Sequence, residues 1–137
     1  HAAHHKHSYY VIRHSDQLAG FTDREIELIA QIARYHRKSA PKNSHAEFMA
    51  LSPEDQALVR TLAGMLRIAI ALVRTRHGGV TGLTATADDE SVDIHVEVEP
   101  GFAYSLEEYT ATERRDLLER AIDREVRLHF HDPAAEL

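Results

Sequence analysis

The sequence predicts a mainly α protein with a small α+β end. A helical region over residues 1–78 is followed by a small subdomain over 79–137, in which one helix covers a three-stranded antiparallel sheet. Three observations predict it. Up to about residue 75 the apolar residues recur at helical spacing behind well-marked helix starts. At Gly78-Gly79 the period changes from helical to alternating. The charge balance divides there too: residues 1–77 hold 11 Lys/Arg against 7 Asp/Glu (+4), and residues 78–137 hold 5 against 15 (−10). A basic surface on the first part suits a polyanion, which the acidic second part repels.

The first element begins in a histidine cluster. Five of the eleven histidines lie at positions 1, 4, 5, 7 and 14. A purification tag is a pure run, whereas this stretch is broken by alanines and a lysine and continues without a linker into Ser8-Tyr9-Tyr10-Val11-Ile12-Arg13. Imidazoles so grouped ligate a metal when neutral or bind an anion as donors, or simply form a solvated cationic helix end. Tyr9 to Leu18 reads as a short helix with Tyr10, Val11, His14 and Leu18 near one face, stopped by Gly20.

The next start is stronger. Thr22 stands at an N-cap with Glu25 three residues on, a capping box, and Phe21 and Ile26 are spaced for a hydrophobic staple. That helix is expected to reach about Lys38, with Ile26, Ile29, Ile32, Ala33 and His36 inward and Pro41 closing it. Arg34-Tyr35-His36-Arg37-Lys38 is then a second basic cluster, at a helix end that suits cations in any case.

Ser44 and Glu47 have capping-box spacing for one turn over 45–50, and Ser52 with Pro53 opens a long helix from Glu54 to about Thr75. Leu58, Leu62, Met65, Leu66, Ala69, Leu72 and Val73 give it a broad apolar face, and Ile68 and Ile70 make its second half apolar almost all round, as in a central, buried helix. Arg67 in its middle requires a partner, and Arg74, Arg76 and His77 form a third cationic cluster at its end. Beyond the glycines, residues 80–87 and 91–99 alternate like a hairpin, with Val92, Ile94, Val96 and Val98 on one face. Residues 112–125 read as an amphipathic helix and 126–130 as the third strand that a marginal hairpin needs.

Composition removes whole classes. No apolar run approaches the roughly 18 residues a membrane span needs, since the longest tract, 62–73, is interrupted by Gly64 and Arg67. No secretory signal stands at the start. With no cysteine there is neither a disulfide framework nor thiolate chemistry, which fits a cytoplasmic protein. A start at His1 rather than Met leads to the expectation of a piece of something longer.

These motifs, taken together, resemble a known family. HisHisLysHisSerTyrTyrValIleArg, then GlyPheThrAspArgGluIleGluLeuIleAla, ArgTyrHisArgLys and LeuArgIleAla in the long helix are similar, in that order and over about residues 1–131, to the C-terminal region of the Ppx/GppA family, the exopolyphosphatases and guanosine pentaphosphate phosphohydrolases. The resemblance implies an HD-like helical bundle with a small α+β cap. It also implies a parent hydrolase whose actin-like N-terminal domains, outside this chain, hold the catalytic acid and Mg²⁺, with a basic polyphosphate channel and a homodimer interface in this part.

Two departures bear on metal chemistry. His4 and His36 resemble the later histidines of the HD pattern, whose His-Asp doublet lies upstream of the present start. Where relatives read roughly LeuArgIleAlaAspGlyLeuAsp, this chain has Ile70 and Val73 at the acidic positions. Two imidazoles without a carboxylate are too few for a closed divalent site. The expectation is a degenerate HD-like site without metal, catalytic residues or a cofactor of its own.

The anion expectation survives. Lys6, His7, Arg34, Arg37 and Lys38, with Arg74 and Arg76, are the candidate ligands for inorganic polyphosphate or guanosine pentaphosphate (pppGpp), Arg as a bidentate fork and Lys as a point charge. Nucleic acid ranks lower, because only Tyr9, Tyr10 and Tyr35 are placed to stack on bases. The alternatives are an autonomous metal-dependent HD phosphohydrolase and a purely structural dimerisation domain.

Overall fold

The computed structural model of the chain describes residues 4–37, 39–74 and 78–135. Among these, six helices and one sheet follow in the order α1 (His4–Arg13), α2 (Asp23–Arg34), α3 (Ala46–Met49), α4 (Pro53–Leu72), β1 (Val80–Ala87), β2 (Ser91–Val98), α5 (Ser105–Glu113), α6 (Asp116–Ile122) and β3 (Glu125–His131). The class is the expected one, mainly α with a small α+β end. Two compact units divide the chain, His1–Ala63 and Gly64–Leu137, with the boundary inside α4. No described helix is long and apolar enough to cross a membrane.

In the first unit the long helices start where capping chemistry puts them. Thr22 Oγ1 accepts from Glu25 N–H at 3.1 Å while Glu25 Oε1 accepts from Thr22 N–H at 2.8 Å, so both halves of the capping box form. Ser52 Oγ accepts from Asp55 N–H at 3.1 Å, and Pro53 takes the first helical position. α3 instead starts after His45, with no side-chain cap. α1 lies about one turn earlier than expected. Gln17 N–H donates to Ser15 Oγ at 3.0 Å, a local bond that replaces a further helical turn.

The inward faces differ from the expected ones. Tyr10 and Val11 are more than half exposed, whereas Tyr9, Ile12 and Arg13 are half-buried. In α2 the buried residues are Leu28, Ala30, Gln31 and Arg34, with Ile26, Ile29, Ile32 and Ala33 half-buried. The reason is a second packing surface. Asp23, Glu27, Gln31 and Arg34 recur at helical spacing, and α1 meets this polar row through Arg13 and Tyr9.

In the second unit the sheet order is β1-β2-β3. β1 and β2 form the expected hairpin, from Val80↔Val98 to Ala87↔Val92, and Asp88 Oδ1 closes its turn by accepting from Glu90 N–H and Ser91 N–H, both at 2.8 Å. The third strand corrects the expectation of an antiparallel sheet: β2 and β3 run parallel, from Ser91↔Glu125 to Glu97↔His131. Their connection is a helical crossover, which returns the chain to its starting end. That crossover also holds two helices where one was expected. The chain breaks at Arg114 and Arg115, where Arg115 Nε donates to Thr112 O at 2.9 Å and Nη1 to Val126 O at 2.8 Å. α6 then ends on Asp123 in the left-handed region at φ 53°.

The core of this unit is aliphatic. Ile68, Ala71, Leu72, Val96, Val98, Ala111, Leu118 and Val126 are buried together, with Val92, Ile94, Leu128 and Phe130 against them, as the alternation of β2 predicts. α4 and α6 approach so closely that a Cβ on Gly64 would lie 2.8 Å from the Leu118 backbone. α4 is less enclosed than its composition suggested, for Met65 is half exposed and Leu58 and Leu62 are also exposed.

Candidate polyanion site

The first unit places the cations of two segments at one end of a helix pair. Arg13, in the last turn of α1, meets Asp23 at the start of α2 (3.1 Å). Tyr9, one turn back in α1, donates its hydroxyl to Glu27, one turn on in α2, at 2.9 Å and 3.0 Å. Contacts that step back in one helix as they step forward in the other mark an antiparallel pair. The first turn of α1, with Lys6 and His7, is therefore level with the last turn of α2, with Arg34, and with His36 and Arg37 just beyond.

The clamp between the helices is partly buried. Gln31 Nε2 adds a donor to Glu27 at 2.8 Å, and Arg13 Nε stands 3.2 Å from the same carboxylate. Burial, and then the hydrogen bond to the Glu27 carboxylate, push the Tyr9 hydroxyl up to about 12. Below that value Tyr9 remains a donor.

The candidate ligands sit in different surroundings. Lys6, His7 and Arg37 are exposed. Arg34 is only 3% exposed: its guanidinium lies 3.6 Å from Glu47 Oε2 and 5.2 Å from the Tyr35 ring centroid. Tyr35 is itself buried, with its hydroxyl 2.6 Å from His45 Nδ1, and burial pushes its pKa up to about 12, so the hydroxyl keeps its proton. Arg34 thus belongs to an interior network that fixes the end of α2. Arg74 is exposed and belongs to the second unit. Lys38 and Arg76 lie outside the described residues.

The described residues at the HD-like positions offer few donors for a divalent metal. His4 is placed only as the first residue of α1. His36 turns Nδ1 to the Ala33 carbonyl, and Ile70 and Val73 carry no donor atom on their side chains. Among the described residues no group of three or more His, Asp or Glu is arranged around a metal position.

Sequence reasoning missed a second polar cluster, on the outer face of the sheet. His95 Nδ1 lies 2.9 Å from His131 Nε2, and His95 and His129 rings stack at 4.9 Å. His129 Nε2 and Arg127 Nε reach Asp93 Oδ1 at 2.7 Å and 2.9 Å. The hydrogen bonds from Arg127, then His129, hold the Asp93 carboxyl below the usual carboxylate range. The signal was present as alternating His, Asp and Arg on two strands, but it converges only in the parallel register His95↔His129. Sequence reading also passed over Glu107, which is 1% exposed with no hydrogen-bond partner for either carboxyl oxygen.

One family model matches, that of the Ppx/GppA phosphatase, domain III, over residues 1–125. The match spans every element as far as the start of β3.

Proposed function

Since the chain belongs to the Ppx/GppA phosphatase family and carries its domain III, we propose that it is the polyphosphate-binding and dimerising part of an exopolyphosphatase. Its parent removes terminal phosphate from polyphosphate or guanosine pentaphosphate, with Mg²⁺ and the catalytic acid supplied by actin-like N-terminal domains. The observation that carries this reading is the shared cationic end of α1 and α2, where Lys6, His7 and Arg37 are all exposed.

Polyphosphate carries roughly one negative charge per phosphate, so a row of exposed cations binds it by releasing its counterions. Lys6 and Arg37 meet the anion, with Lys38 beside Arg37 in sequence. Arg34, held by Glu47 and Tyr35, positions the end of α2 instead. Arg74 and Arg76 form a separate cationic pair in the sequence after α4.

Calorimetric titration with long-chain polyphosphate at two salt concentrations tests this. Binding weakens steeply at the higher salt, with a log–log slope of about −0.7 or more per phosphate neutralised. The Lys6→Ala/Arg37→Ala variant binds more weakly and with a shallower slope. Absence of binding at low salt, or affinity unchanged in that variant, counts against the reading and favours a structural dimerisation domain.

A further inference from the structure

β1 is an open edge of the sheet: among the described residues only β2 pairs with it. The hairpin ladder fixes which of its groups face outward. Asp88 N–H donates to Ser91 O at 3.0 Å, and Glu99 N–H donates to Gly79 O at 2.8 Å. Bonded and non-bonded pairs alternate along an antiparallel ladder. Thr84 and Thr86, opposite His95 and Asp93, therefore turn their backbone groups to β2, and Leu83, Ala85 and Ala87 turn theirs outward.

Edges of this kind are ordinarily guarded by charge, proline, a bulge or a covering element. β1 reads VTGLTATA, with neither charge nor proline, and its one irregularity, between Val80 and Gly82, leaves Leu83 to Ala87 regular. Beside it lies a cavity of about 390 Å³, lined by Leu83 and Ala85 of β1 and by Met65, Ile68 and Leu72 of α4. Met65 and Leu83 are half exposed. Leu83, Ala85 and Ala87 stand opposite Val96, Ile94 and Val92, so a strand added to β1 sends its alternate side chains to this same apolar face.

Charge selects the occupant. Residues 64–137 hold 8 Lys/Arg and 15 Asp/Glu, a balance of −7, with Asp88, Asp89 and Glu90 at the end of the edge itself. We infer that β1 and its groove take an extended segment of a partner protein, with bulky aliphatic residues at alternate positions and Lys or Arg between them. The backbone pairs with Leu83, Ala85 and Ala87, and the aliphatic side chains fill the cavity that Ala85 leaves. A second copy of β1 is a poorer occupant, for it brings the same small residues and a unit of the same negative sign.

The test uses the full chain and a capped synthetic octapeptide alternating leucine and lysine, followed by fluorescence anisotropy. Saturable binding is expected. Ala85→Pro removes one outward N–H and no hairpin bond, and Leu83→Lys places a like charge at the groove mouth; each raises Kd about tenfold or more, with the circular dichroism unchanged. A backbone N-methylated peptide, or one with glutamate for lysine, loses binding, while polyphosphate affinity is the same in both variants. The inference is overturned if the wild-type chain gives no saturable binding, or if both variants and the N-methylated peptide bind as tightly as their parents. It is equally overturned by a concentration-dependent dimer that Ala85→Pro abolishes, because that assigns the edge to a second copy.

Discussion

The two units differ in how their main contacts are made. In the first, the buried groups include Gln31, Arg34 and Tyr35, and the α1–α2 contact is a clamp of Tyr9, Arg13 and Gln31 on Glu27. In the second, the buried cluster is aliphatic with Glu107 as its buried carboxyl, and the polar network of Asp93, Arg127 and His129 lies on the outer face of the sheet. The difference teaches where each unit is vulnerable. Hydrocarbon packing is close and volume-sensitive but indifferent to pH. Buried polar contacts depend on protonation state and on keeping both partners.

Substitutions sharpen this contrast. Gly64→Ala is expected to be the most damaging, destabilising the second unit by about 2–3 kcal/mol even though alanine is the better helix former, because the new methyl meets the Leu118 backbone. Urea unfolding measures it, and an unchanged or raised midpoint would show that the helices are free to separate. Arg34→Ala follows at about 2 kcal/mol, through lost stem packing as much as lost charge. If that variant unfolds like the wild type, the first unit does not depend on its polar interior.

The smallest effects are in pH, where the units separate by direction. Tyr9 and Tyr35 are raised from 10.0 to about 12. Folding favours their neutral forms, so the stability they contribute is complete below pH 10 and is lost as pH rises toward 12. Asp88 and Asp93 are lowered from 3.8, Asp88 chiefly by the backbone N–H of Glu90 and Ser91, so their contribution is present above that value and is lost as pH falls below it. Alkali should therefore loosen the first unit and acid the sheet, read by tyrosinate absorbance and by the histidine NMR signals of His95 and His129. Loss of both sets of signals together at one pH extreme would refute the contrast.

Much of this was legible because it is local. The capping box at Thr22 and Glu25, the Ser52-Pro53 start, the glycine break and the Asp88 turn each depend on residues within a few positions. The misses are tertiary. Nothing in the residues of β3 encodes its direction, which the crossover through α5 and α6 imposes. α5 was passed over because Ser105–Glu113 has no clear apolar stripe. Arg34 reads as surface by residue type, and its burial against Glu47 of α3 and the Tyr35 ring is a tertiary fact. The cationic candidates Lys6, His7 and Arg37 were visible as a charge pattern, whereas their common end follows from the antiparallel contacts of Tyr9 and Arg13.

The parallel pairing of β2 with β3 also sets an order in time. A hairpin closes in microseconds from neighbouring residues, but β3 lies beyond α5 and α6 in the chain, and its partner groups on β2 wait until both helices have been made and folded back. During synthesis the hairpin thus stands for a while with two open edges instead of one. The late strand closes the β2 edge, which until then is open to pairing with another chain.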